Sequence, residues 1–560
     1  MIKNLLAGVR PRRADLKADL LAGVPGAISS VPDGMACAVL AGVNPAFGLY
    51  ASFAGRIGGG LTTSSKMMVV TTTTAAALAA GSALESLSPD DRGGTLVMLT
   101  LLTGMVVVAA GLLRLGRYIR FVSRSVMVGF LSGVAVNIIL GQLPDLTGVP
   151  ANGGTAAQKA WYVISHPNEI VWQALIVGIF ALIVLFGLAR TRFSLFSSLI
   201  AVVVPSAVVA LWGSGLIETV SDSGSIPPGL PPIALPDLSS FNVELFIGAL
   251  SIAAIVLVQG AGVAESAPNP DGSPSYTNGD FIGQGVANVT AGLFSGIPVG
   301  GSVSATALNL AAGARSRWAS VFSGLWVLII MVALSSLVGL VVMPTLGAVL
   351  IFAGIMSLQF ADIGQVWKTS LTGKIAMSVT FVSTLALSVA AAVGVGVACS
   401  LLLQLNKGAM DLRVVRLRPT PGGQMIEQSA PDHLPDSEPV VLDVYGSLLY
   451  SGARTLGARL PDPRGSVNPV VVLRLRGRTS LGATFFAVIA SYAEALAAAG
   501  GRLYLSGVDP HVVAQFKRSQ VQRVQGSITV FDATEVIGAS TLAAVEGART
   551  WLVSRKGTQQ

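Results

Sequence analysis

Charge is what this chain has least of. Only 11% of its 560 residues are Asp, Glu, Lys or Arg, whereas a soluble domain carries about 25%. With 52% hydrophobic residues and a mean hydropathy of +0.70, the composition excludes a soluble enzyme and points to a chain that crosses a membrane many times. Cysteine is nearly absent. Cys37 and Cys399 lie in apolar segments and read as small buried hydrophobes, not as a disulfide or metal site. Histidine is limited to His166, His433 and His511, in loops or the tail. No HExxH, CxxC or Walker-type signature occurs, so neither a zinc enzyme nor an ATP-driven pump is expected. The start, MIKNLLAGVRPRRADLKADLL, is basic and weakly apolar and does not read as a cleavable signal. The net charge of +8 is spread around apolar runs and not gathered in a soluble domain, so nucleic acid is not an expected partner.

The apolar runs fall at 18–42, 45–61, 66–82, 95–113, 119–140, 171–188, 193–213, 243–264, 280–297, 301–312, 317–338, 339–359, 373–387 and 388–406. That makes fourteen elements, several of about 20 residues. With the N-terminus in the cytoplasm (Lys3, Arg10, Arg12, Arg13), the even-numbered loops are cytoplasmic. They carry Arg114, Arg117, Arg120 and Arg124, then Arg190 and Arg192, then Arg315 and Arg317, then Lys368 and Lys374. This satisfies the positive-inside rule. The loop at 265–280 breaks the pattern, because it should be cytoplasmic yet has no basic residue.

After the last apolar run the composition changes. Residues 409–438 are first basic, then rich in proline and polar residues, and read as a linker. From 439 to 556, strand-like stretches (PVVLDVYGSLLY, NPVVVLRLRG, GRLYLSGV, SITVF) alternate with helix-like ones, the second of which is HVVAQFKRSQVQRV. This is an α/β domain.

Inside the apolar region stand two near-copies. Residues 72–81 (TTTAAALAAG) and 304–313 (SATALNLAAG) match at six of ten positions. Either alone would suit a helix–helix interface of small residues and hydroxyls. Recurrence in both halves favours short helices that begin in mid-membrane. Such helices expose unpaired N–H groups and a partial positive charge at their starts, and Ser and Thr cap them well. GIPVGGS (296–302) and LTTSSK (61–66) break the chain just before them. The expected site is an anion pocket between helix starts at Thr71, Thr72, Thr73, Thr74 and at Ser302, Val303, Ser304, Ala305, Thr306.

Three stretches carry a resemblance: DLLAGVPGAISSVPDGMACAVLAGVNPAFGLYAS (19–52), LLRLGRYIRFVSRSVMVGFLSGVAVNIILGQLPDLTG (112–148) and FIGQGVANVTAGLFSGIPVGGSVSATALNLAAGARS (281–316). They are similar to the SulP family of anion transporters, and the tail resembles that family's STAS domain. The resemblance implies an α-helical polytopic membrane protein. Its fourteen elements would form 7+7 inverted repeats, arranged as a core and a gate domain, with a cytoplasmic α/β STAS domain. The domains are then a cytoplasmic N-terminal segment (1–17), the transporter (18–408), a linker (409–438) and STAS (439–556). It implies secondary active transport of sulfate or another small inorganic anion by an elevator-like motion. The setting is the inner (plasma) membrane, with both termini cytoplasmic. A homodimer and a cytoplasmic partner of the STAS domain are implied partners, beside the lipid bilayer. No cofactor is implied beyond a coupling ion, proton or sodium.

The chain departs from that family in places. Thr71 and Thr72 stand where many members have Gly-Pro, and Ala305 stands where many have Arg, so the site has no fixed cation. Gln259 replaces an acid that couples cation flow in relatives. Asp33, after Pro32, occupies a position that is commonly neutral. Two readings of Asp33 stand, an N-cap for a helix resuming after Pro32 or a coupling acid in the membrane. Arg56 reads as structural or snorkelling, and Glu265 as lying at a span's end. Gly482, where STAS switches carry a phosphorylated segment, argues against a phospho-switch. A bicarbonate-type carrier, an anion channel, a nucleobase carrier and a non-transporting scaffold are the competing functions.

Overall fold

A computed structural model describes residues 11–121, 123–151, 155–191, 193–212, 217–224, 229–387, 389–410, 412–420, 424–448, 450–518 and 527–557. Lys3, Arg10 and Arg192, four linker residues (411 and 421–423) and the end of the predicted helix HVVAQFKRSQVQRV lie outside them. The chain divides into two compact units, Met1–Ser400 and Leu401–Gln560.

The first unit is helical. Its principal helices are α1 (Arg13–Leu40), α2 (Pro45–Thr62), α3 (Thr74–Leu84), α4 (Pro89–Leu112), α5 (Arg124–Gly141), α6 (Trp172–Leu188) and α7 (Ser197–Trp212). They continue as α8 (Val243–Ser266), α9 (Thr277–Leu293), α10 (Val303–Ala311), α11 (Trp318–Ala333), α12 (Met343–Ser357), α13 (Leu371–Ala386) and α14 (Val389–Met410). Two short strands, β1 (Val70–Thr72) and β2 (Val299–Gly301), lead into α3 and α10. Among the described residues, four helical segments are long and apolar enough to cross a membrane: Asp91–Leu112, Arg124–Thr147, Val243–Glu265 and Met343–Thr369. Large apolar side chains face outward on α6 and α7, with Ile183 63% and Leu211 89% exposed. Such faces suit lipid, not water.

Packing sorts the helices. Around the two strands, α9 packs on α4 and α2, α11 on α1 and α2, and α8 on α3 and α4. A second group joins α5 to α13 and α12, and α6 to α7 and α12. In the first group backbones come very close. A Cβ on Gly48 of α2 would lie 1.8 Å from the Gly34 carbonyl oxygen of α1. No side-chain movement can relieve that overlap, because both partners are backbone.

Helix α9 explains why a strand can exist here. Asp280, Gln284 and Asn288 recur every four residues on it and share one face. The Asn288 amide accepts from Val299 N–H (2.9 Å) and donates to Val299 O (2.7 Å). Gln284 Oε1 accepts from Gly301 N–H at 3.0 Å. Asp280 accepts from Ser65 N–H and Oγ (both 2.7 Å) and from Ser64 Oγ (2.9 Å), fixing the turn that enters β1. The loop without basic residues is also accounted for. Its Asp271 pairs with Lys66, and its Asn269 accepts from Lys66 N–H, so the cation comes from the turn before β1. The Lys66 ammonium and the Ser273 hydroxyl hold the Asp271 carboxyl well below the usual carboxylate range.

The second unit is a mixed six-stranded sheet in the order β4-β3-β5-β6-β7-β8. The strands are β3 (Arg413–Pro419), β4 (Met425–Ser429), β5 (Pro439–Tyr445), β6 (Val470–Arg474), β7 (Arg502–Val508) and β8 (Ile528–Asp532). The last four run parallel, with helices α15 (Tyr450–Arg459), α16 (Ala483–Ala498), α17 (Pro510–Arg518) and α18 (Ala539–Gly557). The linker expectation for 409–438 needs correction, because β3 and β4 fall within it and β3 pairs antiparallel with β5. Arg413, Arg416 and Arg418 made the stretch read as the basic start of a linker, yet Val415 and Leu417 alternate with arginine and are buried.

Two expectations follow. Gly48→Ala should lower the thermal midpoint in detergent steeply, whereas Gly94→Ala, where nothing lies within 4 Å of a Cβ, should leave it unchanged or raise it slightly. Asn288→Leu strands the Val299 N–H and C=O and should cost about 2–4 kcal/mol. Its check is a lowered thermal midpoint together with lost uptake.

Candidate functional site

β1 and β2 pair antiparallel, with Val70 opposite Gly301, Thr71 opposite Gly300 and Thr72 opposite Val299. Each strand runs straight into a short helix. Thr73 caps α3, its Oγ1 accepting from Ala76 N–H at 3.4 Å. Ser302 caps α10, its Oγ accepting from Ala305 N–H at 3.2 Å. Because the strands are antiparallel, the two helix starts lie at opposite ends of one ribbon, about 10 Å apart for three residues of strand. The N–H groups of Thr74, Ala75, Val303 and Ser304 have no carbonyl one turn back. Each helix start adds a partial charge of roughly +0.5. The ribbon thus sets one helix start, with two uncapped amides and a dipole end, at each of its ends. Gly301 lets β2 lie close against α8, since a Cβ there would meet Gly260 Cα at 3.1 Å.

The hydroxyls divide into those used by the scaffold and those left for a ligand. Thr306 Oγ1 accepts from Val69 N–H at 3.0 Å and is 1% exposed, so it holds the entry to β1 and is not a ligand group. Thr72 Oγ1 lies 3.4 Å from Ser52 Oγ, on the α2 side. Ser304 is exposed and its Oγ is 3.2 Å from that of Ser302. Val303 is exposed beside it, and Ala305 contributes only its capped N–H. Thr71 Oγ1 is buried without a hydrogen-bond partner among the described residues. Gly300, across from Thr71, faces α8, where a Cβ would lie 3.7 Å from Gln259 Oε1. Gln259 joins the cluster directly, accepting from Thr73 Oγ1 at 3.2 Å.

Asp33 is not at the ribbon. α1 runs unbroken through Pro25 and Pro32, so Asp33 is a mid-helix residue and the N-cap reading is wrong. Helical backbone continues past a proline when neighbouring groups absorb the lost bond. Ser29 Oγ donates to Asp33 at 3.1 Å. Arg56 does not snorkel either. It is 2% exposed, in the middle of α2, and donates to Ser30 Oγ and to Ser323 Oγ, the latter at 2.8 Å. Glu265 is exposed at the end of α8.

The α9 clamp (Asp280, Gln284, Asn288) had no role in the sequence reading. Its signal was available: three polar residues at four-residue spacing on one face of an apolar helix. The arrangement can bind an oxyanion through backbone N–H, hydroxyl and carboxamide groups, with no metal and no charged side chain in contact.

Residues 16–380 match the profile of the Sulfate permease family. The Putative sulfate transporter YbaR of Bacillus subtilis is 27% identical over 373 residues, 66% of this chain and 72% of that protein. The Probable sulfate transporter Rv1739c of Mycobacterium tuberculosis is 29% identical over 71% of this chain and 72% of that protein. The Bicarbonate transporter BicA of Synechocystis is 23% identical, covering 72% of each. Among solved structures, SLC26A9 superposes with a TM-score of 0.83 at 19% identity, covering 98% of this chain and 94% of that one. The transmembrane domain of a cyanobacterial BicA gives 0.62 at 19% identity, over 70% of this chain and 99% of that one. With the profile spanning most of the membrane unit, the chain belongs to the sulfate permease (SulP) family of anion transporters.

Proposed function

We propose that this protein carries a small inorganic anion, sulfate by preference, across the plasma membrane by secondary active transport. The observation that carries the proposal is the β1–β2 ribbon, which gathers the starts of α3 and α10 beside Gln259. Partly desolvated oxyanions suit such N–H-rich ends. The names of the relatives favour sulfate. A second reading, bicarbonate or another monovalent anion, rests on a specific feature. None of Thr71, Thr72, Thr73, Thr74, Ser302, Val303, Ser304, Ala305 and Thr306 is cationic, and stripping water from a dianion without a full counter-charge is costly.

In this proposal the membrane unit makes fourteen crossings as two inverted sets of seven. The group around the ribbon is the core, and α5, α6, α7, α12, α13 and α14 form the gate. The core moves past the gate as an elevator. The sheet unit is a STAS domain in the cytoplasm, where both termini lie. Two chains form a dimer, and a cytoplasmic partner docks on STAS.

The test is counterflow of labelled sulfate into proteoliposomes loaded with unlabelled sulfate, with bicarbonate as competitor. Saturable counterflow that bicarbonate barely inhibits supports sulfate; bicarbonate movement or a linear leak instead supports the monovalent carrier or a channel. Gln259→Glu places an anion beside Thr73 and should weaken apparent affinity by roughly tenfold or more. Ser304→Ala should weaken it by about three- to tenfold, the loss of one hydrogen bond. Unchanged kinetics in both would remove the ribbon from the transport site.

A further inference from the structure

We propose that residues 229–242 form an apolar strap that lies in the headgroup layer of the bilayer and fastens the ribbon bundle to that leaflet. The leaflet is the outer one in the topology given above. The strap is a binding surface for lipid, and its role does not depend on which anion is carried.

The strap reads GLPPIALPDLSSFN. Asp237 is its one charged residue, and three of its fourteen residues are proline. Its two sides differ. Pro231 is buried, and Ala234 and Pro236 are half-buried. Leu230, Ile233, Leu235 and Leu238 turn the other way, between 73% (Ile233) and 81% (Leu235) exposed, and Phe241 is exposed beyond them. A row of large apolar side chains, held outward by residues packed inward, marks an interaction surface.

The backbone suits a water-poor layer as well. Pro231, Pro232 and Pro236 have no N–H to satisfy. The Ala234 N–H donates to the Leu293 carbonyl, at the end of α9, at 2.8 Å. In the 3₁₀ turn Leu238–Ser240, the Ser239 N–H donates to Asp237 Oδ1 at 2.9 Å. The Ser240 and Phe241 N–H groups donate to the Asp237 and Leu238 carbonyls. Few amides of the strap are left to water, which is the condition for backbone near hydrocarbon.

Lipid is the occupant because the apolar row does not stop at the end of the strap. Asn242 caps α8, its Oδ1 accepting from Leu245 N–H at 2.7 Å. The row passes onto α8 as Val243, Ile247 and Leu250, all exposed and at the spacing of one helix face. Residues Val243–Glu265 are long and apolar enough to cross a membrane. The buried residues of α8, Ala249, Ile252 and Val256 among them, belong to the core in which α8 packs on α3, α4, α9, α10 and β2. The outward stripe of α8 therefore meets hydrocarbon, and the strap continues it to the headgroups. A folded soluble partner would have to follow that row into the bilayer to cover it. The fixings of the strap are all on the ribbon bundle: Leu293 of α9, the start of α8, and α4, against which the turn Leu238–Ser240 packs. Lipid that holds the strap holds that bundle.

The experiment is nitroxide accessibility in the full-length protein, reconstituted into vesicles of phosphatidylethanolamine and phosphatidylglycerol. Cys37→Ala and Cys399→Ala remove the native thiols, and Ile233→Cys or Leu235→Cys carries the label. Ile183→Cys on α6 is the hydrocarbon reference, and Ser480→Cys in the sheet unit is the water reference. The ratio of collisions with oxygen to collisions with a water-soluble nickel complex should be several-fold higher at both strap positions than at Ser480. A ratio equal to that at Ser480 puts the row in water and overturns the proposal. Low accessibility to both reagents also overturns it, spin–spin broadening then identifying a second copy of the chain as the occupant and its absence another part of the same chain. Where the cysteine-free background does not fold, Leu235→Trp in the unmodified chain reads the same contact. Brominated lipid should quench the emission that this tryptophan adds, and no quenching overturns the proposal.

Discussion

A buried stretch of extended backbone must find hydrogen bonds, and in an apolar interior water cannot supply them. β1 and β2 meet that demand by pairing with each other, although Val70 and its partner Gly301 belong to distant parts of the chain. The pairing leaves residues at the ribbon's edges, and α9 satisfies these with Gln284 and Asn288. Thr306 and Ser302 close the account on the other side by bonding Val69. Short helices are a consequence. Where the chain leaves the ribbon at Thr73 and Ser302, a helix must begin in the middle of the fold, and its first amides have no carbonyl one turn back. The ligand-binding potential of the site is therefore a residue of the backbone problem that the ribbon solves.

Much of this was readable before any coordinates. The recurrence of the TTTTAAALAAG segment located both helix starts, because hydroxyls cap helices and small residues allow close approach. The structure places those starts at Thr74 and Val303, with Thr71 and Thr72 in extended backbone. That extension could not be read from local pattern, since three residues of strand have no periodicity and their partners lie far along the chain. The roles of Gln284 and Asn288 were hidden for the same reason. Amides on an apolar helix are visible in sequence, but which distant N–H they serve is a tertiary fact. In the tail, Arg413, Arg416 and Arg418 outweighed Val415 and Leu417 when the stretch was read by charge, and alternation was the better guide. Asp33 misled through Pro32, which ends helices in water far more readily than in a packed bundle.

The electrostatics of the site follow from its neutrality. Two helix ends with partial charges, some hydroxyls and a carboxamide attract an anion without holding it as an arginine in contact would. A carrier gains from that restraint, because an ion bound too tightly is not released. Close backbone contacts such as Gly34 against Gly48 hold α1 to α2 without any charge between them.

The distribution of packing bears on how such a site would move. α1, α2, α3, α4, α8, α9, α10 and α11 pack around the ribbon. Asn288, Gln284 and Asp280 fasten β2 and the turn before β1 to α9, and Asp271 holds Lys66 from the adjoining loop. Every group in the proposed site, including Gln259, belongs to this one bundle. Interiors packed at backbone distance are bistable, not continuously deformable. Such a bundle is better suited to move as a body than to open around its ligand.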